Sequence, residues 1–347
     1  MRLDSVRALK QELKEDAVLP RVYARAFAPA SRLSTLTVRL DMAHTRAPSG
    51  NDVALGIVRG KGKRDFRLGA RVQVAEPRRA AEIAERLRRE ARNECDVRIV
   101  PRVVARRAPT PAWFLRRRRP IEPGISVGHV KTTAGTLGFF VEDDHAVYVL
   151  SNNHVLAEVN AAEPGDPIVQ PGPIDLPGNG KAKQRDLIAV LDRFVPISFS
   201  RSNVVDCAIA EVLDGIRIVK ARTRAVRAKI KGTKPVTVDD LDLEVFKAGR
   251  TTGVTSGRIT QAEVDRLSVE MTERPVKTAL FSDQFEVSCP GRKSFSEGGD
   301  SGSLIVDGRG YARGLLFAGG PDEDGNDLTY ANQIEIVLAK LGVELVV

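Results

Sequence analysis

The stretch Phe295-Ser-Glu-Gly-Gly-Asp-Ser301-Gly-Ser-Leu-Ile305 is a glycine-rich turn that presents Ser301 between Asp300 and Gly302 and then enters an apolar run. That is the setting of a nucleophile. A serine hydroxyl stays inert near neutral pH unless a base takes its proton and hydrogen-bond donors receive the oxyanion. Its partners must therefore be sought elsewhere in the chain.

Two upstream residues have the required chemistry. His154 closes Val149-Leu-Ser-Asn-Asn-His154, at the end of an apolar strand where the chain turns, so an imidazole is expected at a strand rim. Asp206 lies in Asn203-Val-Val-Asp206-Cys-Ala-Ile-Ala210, a carboxylate inside an apolar strand. A buried carboxylate is costly unless it is paired, and a histidine N–H would supply the partner. Asp186 and Asp192 are the rival carboxylates. Asp186 follows a polar loop and Asp192 precedes Arg193, so both are expected to be exposed.

Taken together, Ser-Asn-Asn-His154, Val-Asp206-Cys-Ala-Ile and Gly-Gly-Asp-Ser301-Gly-Ser resemble the trypsin/chymotrypsin-like serine peptidases. The Asn-Asn-His wording is most similar to the bacterial intracellular and HtrA-type branches. The spacings, 52 residues from His154 to Asp206 and 95 from Asp206 to Ser301, fit a layout with His and Asp on one barrel and Ser on a second. The run Val245-Phe-Lys-Ala-Gly-Arg-Thr-Thr-Gly-Val-Thr-Ser-Gly257 resembles the opening of that second barrel. The resemblance covers about 121–347 and leaves 1–120 unaccounted for.

The resemblance implies a serine endopeptidase acting through an acyl-enzyme. Ser301 would attack the peptide carbonyl, His154 would shuttle the proton, and Asp206 would hold the imidazole tautomer. The N–H groups of Gly299 and Ser301 would form the oxyanion hole. By the same matching Phe295 takes the place of the acid that selects basic side chains in trypsin, leaving no negative base. Phe295, Ser296, Phe317, Ala318 and Gly319 would then line a pocket for a small or apolar P1 side chain. The freed amino terminus that activates digestive relatives has no counterpart, because Gly124-Ile-Ser-Val127 is internal, and Pro120 disfavours cleavage after Arg119.

Away from the motifs, the texture from Ile121 onward is short apolar runs punctuated by Gly and Pro, which predicts an all-β body. With the resemblance this becomes an all-β double β-barrel (chymotrypsin-like): barrel one over about 121–220, barrel two over about 240–331. Residues 332–342 are predicted as a C-terminal helix with Asn332 as its N-cap, and 163–180 and 220–236 as loops. Ahead of this, 1–106 is expected to be a basic α+β domain. Val6, Leu9 and Leu13 mark a first helix, 34–42, 52–58, 66–74 and 96–105 are predicted strands, and Pro77 opens a helix over 77–92 with Ile83, Ala84, Leu87 and Ala91 inward. Residues 107–120, rich in Pro and Arg and holding Trp113-Phe-Leu, read as a linker or docking strap.

The 347-residue chain is 42% hydrophobic and 29% charged, which excludes a disordered chain, and no run of eighteen apolar residues marks a membrane helix. With no secretory apolar segment at Met1–Lys10, a cytoplasmic location is expected. Cys95, Cys207 and Cys289 form neither a disulfide framework nor a metal pattern, so no cofactor and no metal are expected, and all three are predicted to be buried thiols. Asp322-Glu-Asp-Gly325 is read as a β-turn, and His129 and His145 as surface or barrel-end residues. Residues 1–120 carry 29 Lys and Arg against 13 Asp and Glu, net +16, whereas 121–347 carry 25 against 32, net −7. A protein or peptide substrate is the expected partner, an anionic partner for 1–120 is open, and so is oligomerisation. Two other functions compete: an inactive protease-fold scaffold, and an anion- or nucleic-acid-binding protein acting through 1–120.

Overall fold

The computed structural model describes residues 1–15, 53–74, 76–100, 112–177, 181–273, 275–289 and 294–347. The expected strand at 34–42, the last residues of the one at 96–105 and the first of the 107–120 linker lie outside them. So does the expected boundary at 106.

At the start of the chain, helix α1 (Leu3–Glu15) turns Val6 and Leu13 inward. Strands β1 (Val53–Arg59) and β2 (Phe66–Val72) pair antiparallel, and β3 (Cys95–Ile99) lies parallel to β2. That parallel return requires a crossover, which α2 (Pro77–Glu90) supplies. Pro77 sits in the first turn of α2, the Glu76 carboxylate accepts from the N–H groups of Arg78 and Arg79, and Ala80, Ile83, Ala84 and Leu87 are buried. A short helix, α3 (Ala112–Leu115), then leads into the first barrel.

The first barrel is a curled sheet of β4 (Ser126–His129), β5 (Gly135–Thr136), β6 (Phe139–Glu142), β7 (Val147–Ser151), β8 (Pro167–Val169), β9 (Leu187–Phe194), β11 (Ala208–Val212) and the C-terminal β21 (Glu344–Leu345). Its order is β21-β6-β7-β11-β9-β8-β4-β5. The four-residue helix α4 (Asn153–Leu156) follows β7. The second barrel is closed: β13 (Glu244–Gly249), β18 (Leu304–Asp307), β19 (Tyr311–Pro321), β20 (Asp327–Gln333), β17 (Gln284–Ser288) and β14 (Gly253–Asp265) follow one another, and β14 pairs back to β13. Short β12 (Gly232–Thr233) runs beside β19, and β10 (Ser202–Asn203), β15 (Leu267–Glu273) and β16 (Val276–Phe281) form a small third sheet. The two together make an all-β double β-barrel, closed at its C-terminal end by α5 (Ile334–Leu341). Phe139, Leu150, Val205 and Cys207 of the first barrel share one apolar cluster with Leu304, Val306, Leu315 and Ile334 of the second, so the seam between the barrels is itself core.

The N-terminal strands do not stand apart from this body. β1 pairs with β14, extending the sheet of the second barrel through β2 to β3. Val6 and Ile57 lie in one cluster with Ile259 and Phe285. Across the join, the guanidinium of Arg71 makes a bidentate pair with Glu286 at 2.7 and 2.8 Å, both fully buried, and the Tyr330 hydroxyl donates to the same carboxylate. Burial works against the Arg71 charge, but Glu286 outweighs it and holds its pKa above the ordinary value.

Several local expectations are corrected. β8 and β12 lie in segments expected to be loops. Asn332 belongs to β20 and caps nothing; Gln333 precedes α5 without a side-chain cap. Asp186 is buried, with its carboxylate accepting the Lys183 N–H and lying 3.6 Å from Arg117. His129 is also fully buried, hydrogen-bonded to Asp166 and to the Lys131 N–H, while Cys95 is only partly buried.

Candidate active site

β7 ends at Ser151, and the chain then turns into α4, which carries His154. The two asparagines between them are both fully buried and fix this turn. Asn152 Nδ2 donates to the Asp206 carbonyl at 2.7 Å, and Asn153 Nδ2 donates to the Val195 carbonyl at 2.9 Å and to Asn160 Oδ1 at 2.8 Å. His154 is thereby held against the start of β11. Its Nδ1 lies 2.5 Å from Asp206 Oδ2, and its backbone N–H reaches Asp206 Oδ1 at 3.3 Å.

Asp206 has no exposed surface, while the His154 side chain is 23% exposed. A carboxylate so placed needs donors, and the imidazole and the His154 N–H supply them. Its backbone is pinned from the other barrel, since the Asp206 N–H donates to Asn332 Oδ1 at 2.9 Å and Asn332 Nδ2 donates to Gln284 Oε1 at 2.6 Å. Asn332 is thus a seam residue of the site that sequence reading had placed on a helix. Next to Asp206, burial pushes the Cys207 thiol well above its usual pKa, so it stays protonated.

Ser301 comes to the same seam from the second barrel. Gly299 and Gly302 both have positive φ, +98° and +93°. A Cβ on Gly302 would fall 2.1 Å from Ser151 Oγ, and one on Gly138 would fall 2.2 Å from the Gly302 carbonyl oxygen. Only glycine admits this approach. The Ser301 carbonyl accepts the Thr136 N–H at 2.8 Å, which fastens the serine turn to β5. Gly302, the next residue, meets the first barrel at Ser151, three residues before His154. Among the described residues Ser301 Oγ makes no hydrogen bond, and the N–H groups of Gly299 and Ser301 have no acceptor.

Beneath the turn, Asp300 is buried and collects the N–H groups of Thr251, Thr252 and Glu297, the Thr252 hydroxyl and the ammonium of buried Lys247 at 3.1 Å. Burial lowers the Lys247 pKa, with Asp300 opposing it. Sequence reading missed Lys247, although a lone cation in the apolar strand Val245-Phe-Lys-Ala-Gly249 is a usable signal for a buried partner.

The residues matched to a pocket lie side by side on the second barrel but are largely covered. Phe295 is wholly buried in the barrel core, its ring against Gly257, so it packs the barrel rather than facing a cleft. The Ser296 hydroxyl lies 2.6 Å from that of Thr329, and Phe317, Ala318 and Gly319 lie on β19. The expectation of no acid here is corrected: buried Asp327 Oδ2 accepts the N–H groups of Phe295 and Ser296 and the Thr329 hydroxyl. Among the described residues no group of His, Cys, Asp or Glu is placed to hold a metal.

No family model matches the chain, and no curated protein matches it. Solved structures similar to it include Thermobifida fusca Protease A, at 16% identity over 65% of this chain and 98% of that one, TM-score 0.44. Nocardiopsis protease is similar at 14% identity over 65% and 100%, TM-score 0.45. A glutamic acid specific serine protease is similar at 16% identity over 65% and 100%, TM-score 0.44.

Proposed function

We propose that the chain is a serine endopeptidase working through Ser301, His154 and Asp206. The observation that carries this reading is the buried Asp206 bonded to His154 Nδ1 at 2.5 Å, with the glycine-framed Ser301 brought to the same seam. In the reaction His154 Nε2 takes the Ser301 proton as Oγ attacks the substrate carbonyl, then passes it to the leaving amine. Asp206, already bonded to Nδ1–H, keeps Nε2 as the free base and stabilises the imidazolium. The open N–H groups of Gly299 and Ser301 receive the oxyanion. Water then repeats the sequence on the acyl-enzyme.

A small or apolar P1 side chain belongs to this proposal. Gly319 and Ser296 lie side by side at the border of the P1 pocket, with Phe317 and Ala318 nearly buried beneath them. The Asp327 charge is already committed to two backbone N–H groups and a hydroxyl, so it attracts a basic side chain weakly. Cleavage profiling on a proteome-derived peptide library, wild type against Ser301→Ala, tests the proposal. New termini after small or apolar residues, produced by wild type alone, are expected; identical profiles from both proteins refute it.

A further inference from the structure

The hairpin turn Arg250-Thr-Thr252 joins β13 to β14, and its side chains reach the peptide unit that carries the Gly299 N–H. Thr251 is 1% exposed, and its Oγ1 lies 2.6 Å from the Gly298 carbonyl oxygen. A carbonyl can only accept, so the hydroxyl donates its proton there. The same hydroxyl accepts from Arg250 Nη1 at 3.1 Å. Arg250 is in turn clamped to the first barrel: Nε and Nη2 reach the two oxygens of Asp175, each at 2.6 Å, and Ser126 Oγ donates to Asp175 at 2.6 Å. A second tie runs alongside, in which the Arg250 N–H donates to Thr136 Oγ1 and that hydroxyl donates to the Gly299 carbonyl, both at 2.9 Å.

The peptide plane makes these contacts directional. In a trans peptide the carbonyl and the N–H point in opposite directions, so holding the Gly298 carbonyl on Thr251 turns the Gly299 N–H to the opposite side. There it has no acceptor among the described residues. A flip of this peptide would leave the Thr251 hydroxyl buried without its acceptor.

We infer that Thr251 is a positioning residue for the oxyanion hole: it fixes the Gly298–Gly299 peptide with the Gly299 N–H aimed at the substrate, and Arg250 and Asp175 hold it to the first barrel. The catalytic part of this inference rests on the peptidase proposal; the peptide orientation does not. Thr251 itself hydrogen-bonds to Gly298, Arg250 and Asp300 and not to Ser301. The seam between the barrels thereby determines whether the hole is set.

The test compares Thr251→Val, which keeps the shape without the hydroxyl, with Thr251→Ser, which keeps the hydroxyl. On a peptide substrate found by the profiling, Thr251→Val is expected to lose on the order of 10²–10³-fold in kcat, the effect of removing one oxyanion donor, with KM changed less than about threefold. Thr251→Ser is expected within about tenfold of wild type, on the same constant. A folded Thr251→Val with wild-type kcat, or a Thr251→Ser no better than Thr251→Val, overturns the inference. Should Thr251→Val not fold, Asp175→Asn takes its place: a fall in kcat at steady KM supports the relay and an unchanged kcat overturns it. If wild type cleaves nothing, the peptidase proposal fails, and crystal structures of wild type and the variant judge the orientation: a flipped Gly298 carbonyl supports it and an unmoved one overturns it.

Discussion

Asp206 shows how much of a site a single buried charge can organise. Without exposed surface it must find donors, and it finds them in His154 while Asn152 and Asn332 secure its backbone. Replacing it by Asn keeps the shape but lets the imidazole take the wrong tautomer. We expect Asp206→Asn to lower the acylation rate of Ser301 by on the order of 10⁴-fold with little change in unfolding temperature, as measured by stopped-time labelling and thermal melts. An unaltered rate would separate Asp206 from the chemistry. The pairing of His154 with Asp206 was readable because each sits in a pattern that few other needs explain: an imidazole at a rim and a carboxylate in an apolar strand. Asn332 was not readable, because an asparagine ahead of an amphipathic run is also a normal helix cap. Phe295 was misplaced for a related reason. Its position in the motif says nothing about which way the ring turns, and the ring turns into the barrel.

Among the elements, β14 is the spine of the described N-terminal half and the second barrel together. Its thirteen residues pair with β13, β17 and β1 in turn. Its extent was not legible, because the strand changes neighbours along its length and its apolar alternation shifts at bulges. Helix α1 docks on its far end, where Lys10 and Lys14 both reach Asp265 at 2.9 Å and Arg7 pairs with Glu263. Burial pulls the Asp265 pKa up, but the two lysines prevail and leave it below the usual carboxylate value. The sign follows from linkage: the stabilisation is complete well above the unfolded carboxylate pKa of about 3.9 and is lost as pH falls through the lower folded value. Urea midpoints of wild type and Asp265→Asn should therefore differ at pH 7 and converge on acidification below about pH 4. A constant gap would mean that the carboxylate charge does not dock α1.

At the scale of the molecule, the double barrel was legible because short strands, turn residues and the spacing of the three motifs agree. The attachment of the N-terminal strands was not, since edge-to-edge pairing of β1 with β14 leaves no periodic signal in either sequence. The basic character of 1–120 also divides differently from the first impression. On α2 the arginines alternate with Glu82, Glu85 and Glu90, with Arg88 facing Glu85 and Arg86 facing Glu90. In the strap before the first barrel, Arg118 and Arg224 lie over the faces of Trp113, and Arg117 and Arg119 donate to the Arg185 carbonyl. The aromatic and cationic groups around Trp113 thus lie against the chain's own first barrel.

The two barrels matter to function only if their seam assembles a reactive serine. Active-site titration with a fluorophosphonate, followed by mass spectrometry of the modified peptide, addresses this directly. A serine peptidase working as proposed takes up one phosphonyl group per chain, on Ser301, absent after Ser301→Ala and greatly slowed after His154→Ala. A wild-type chain left unmodified while a control serine peptidase reacts to completion would contradict it.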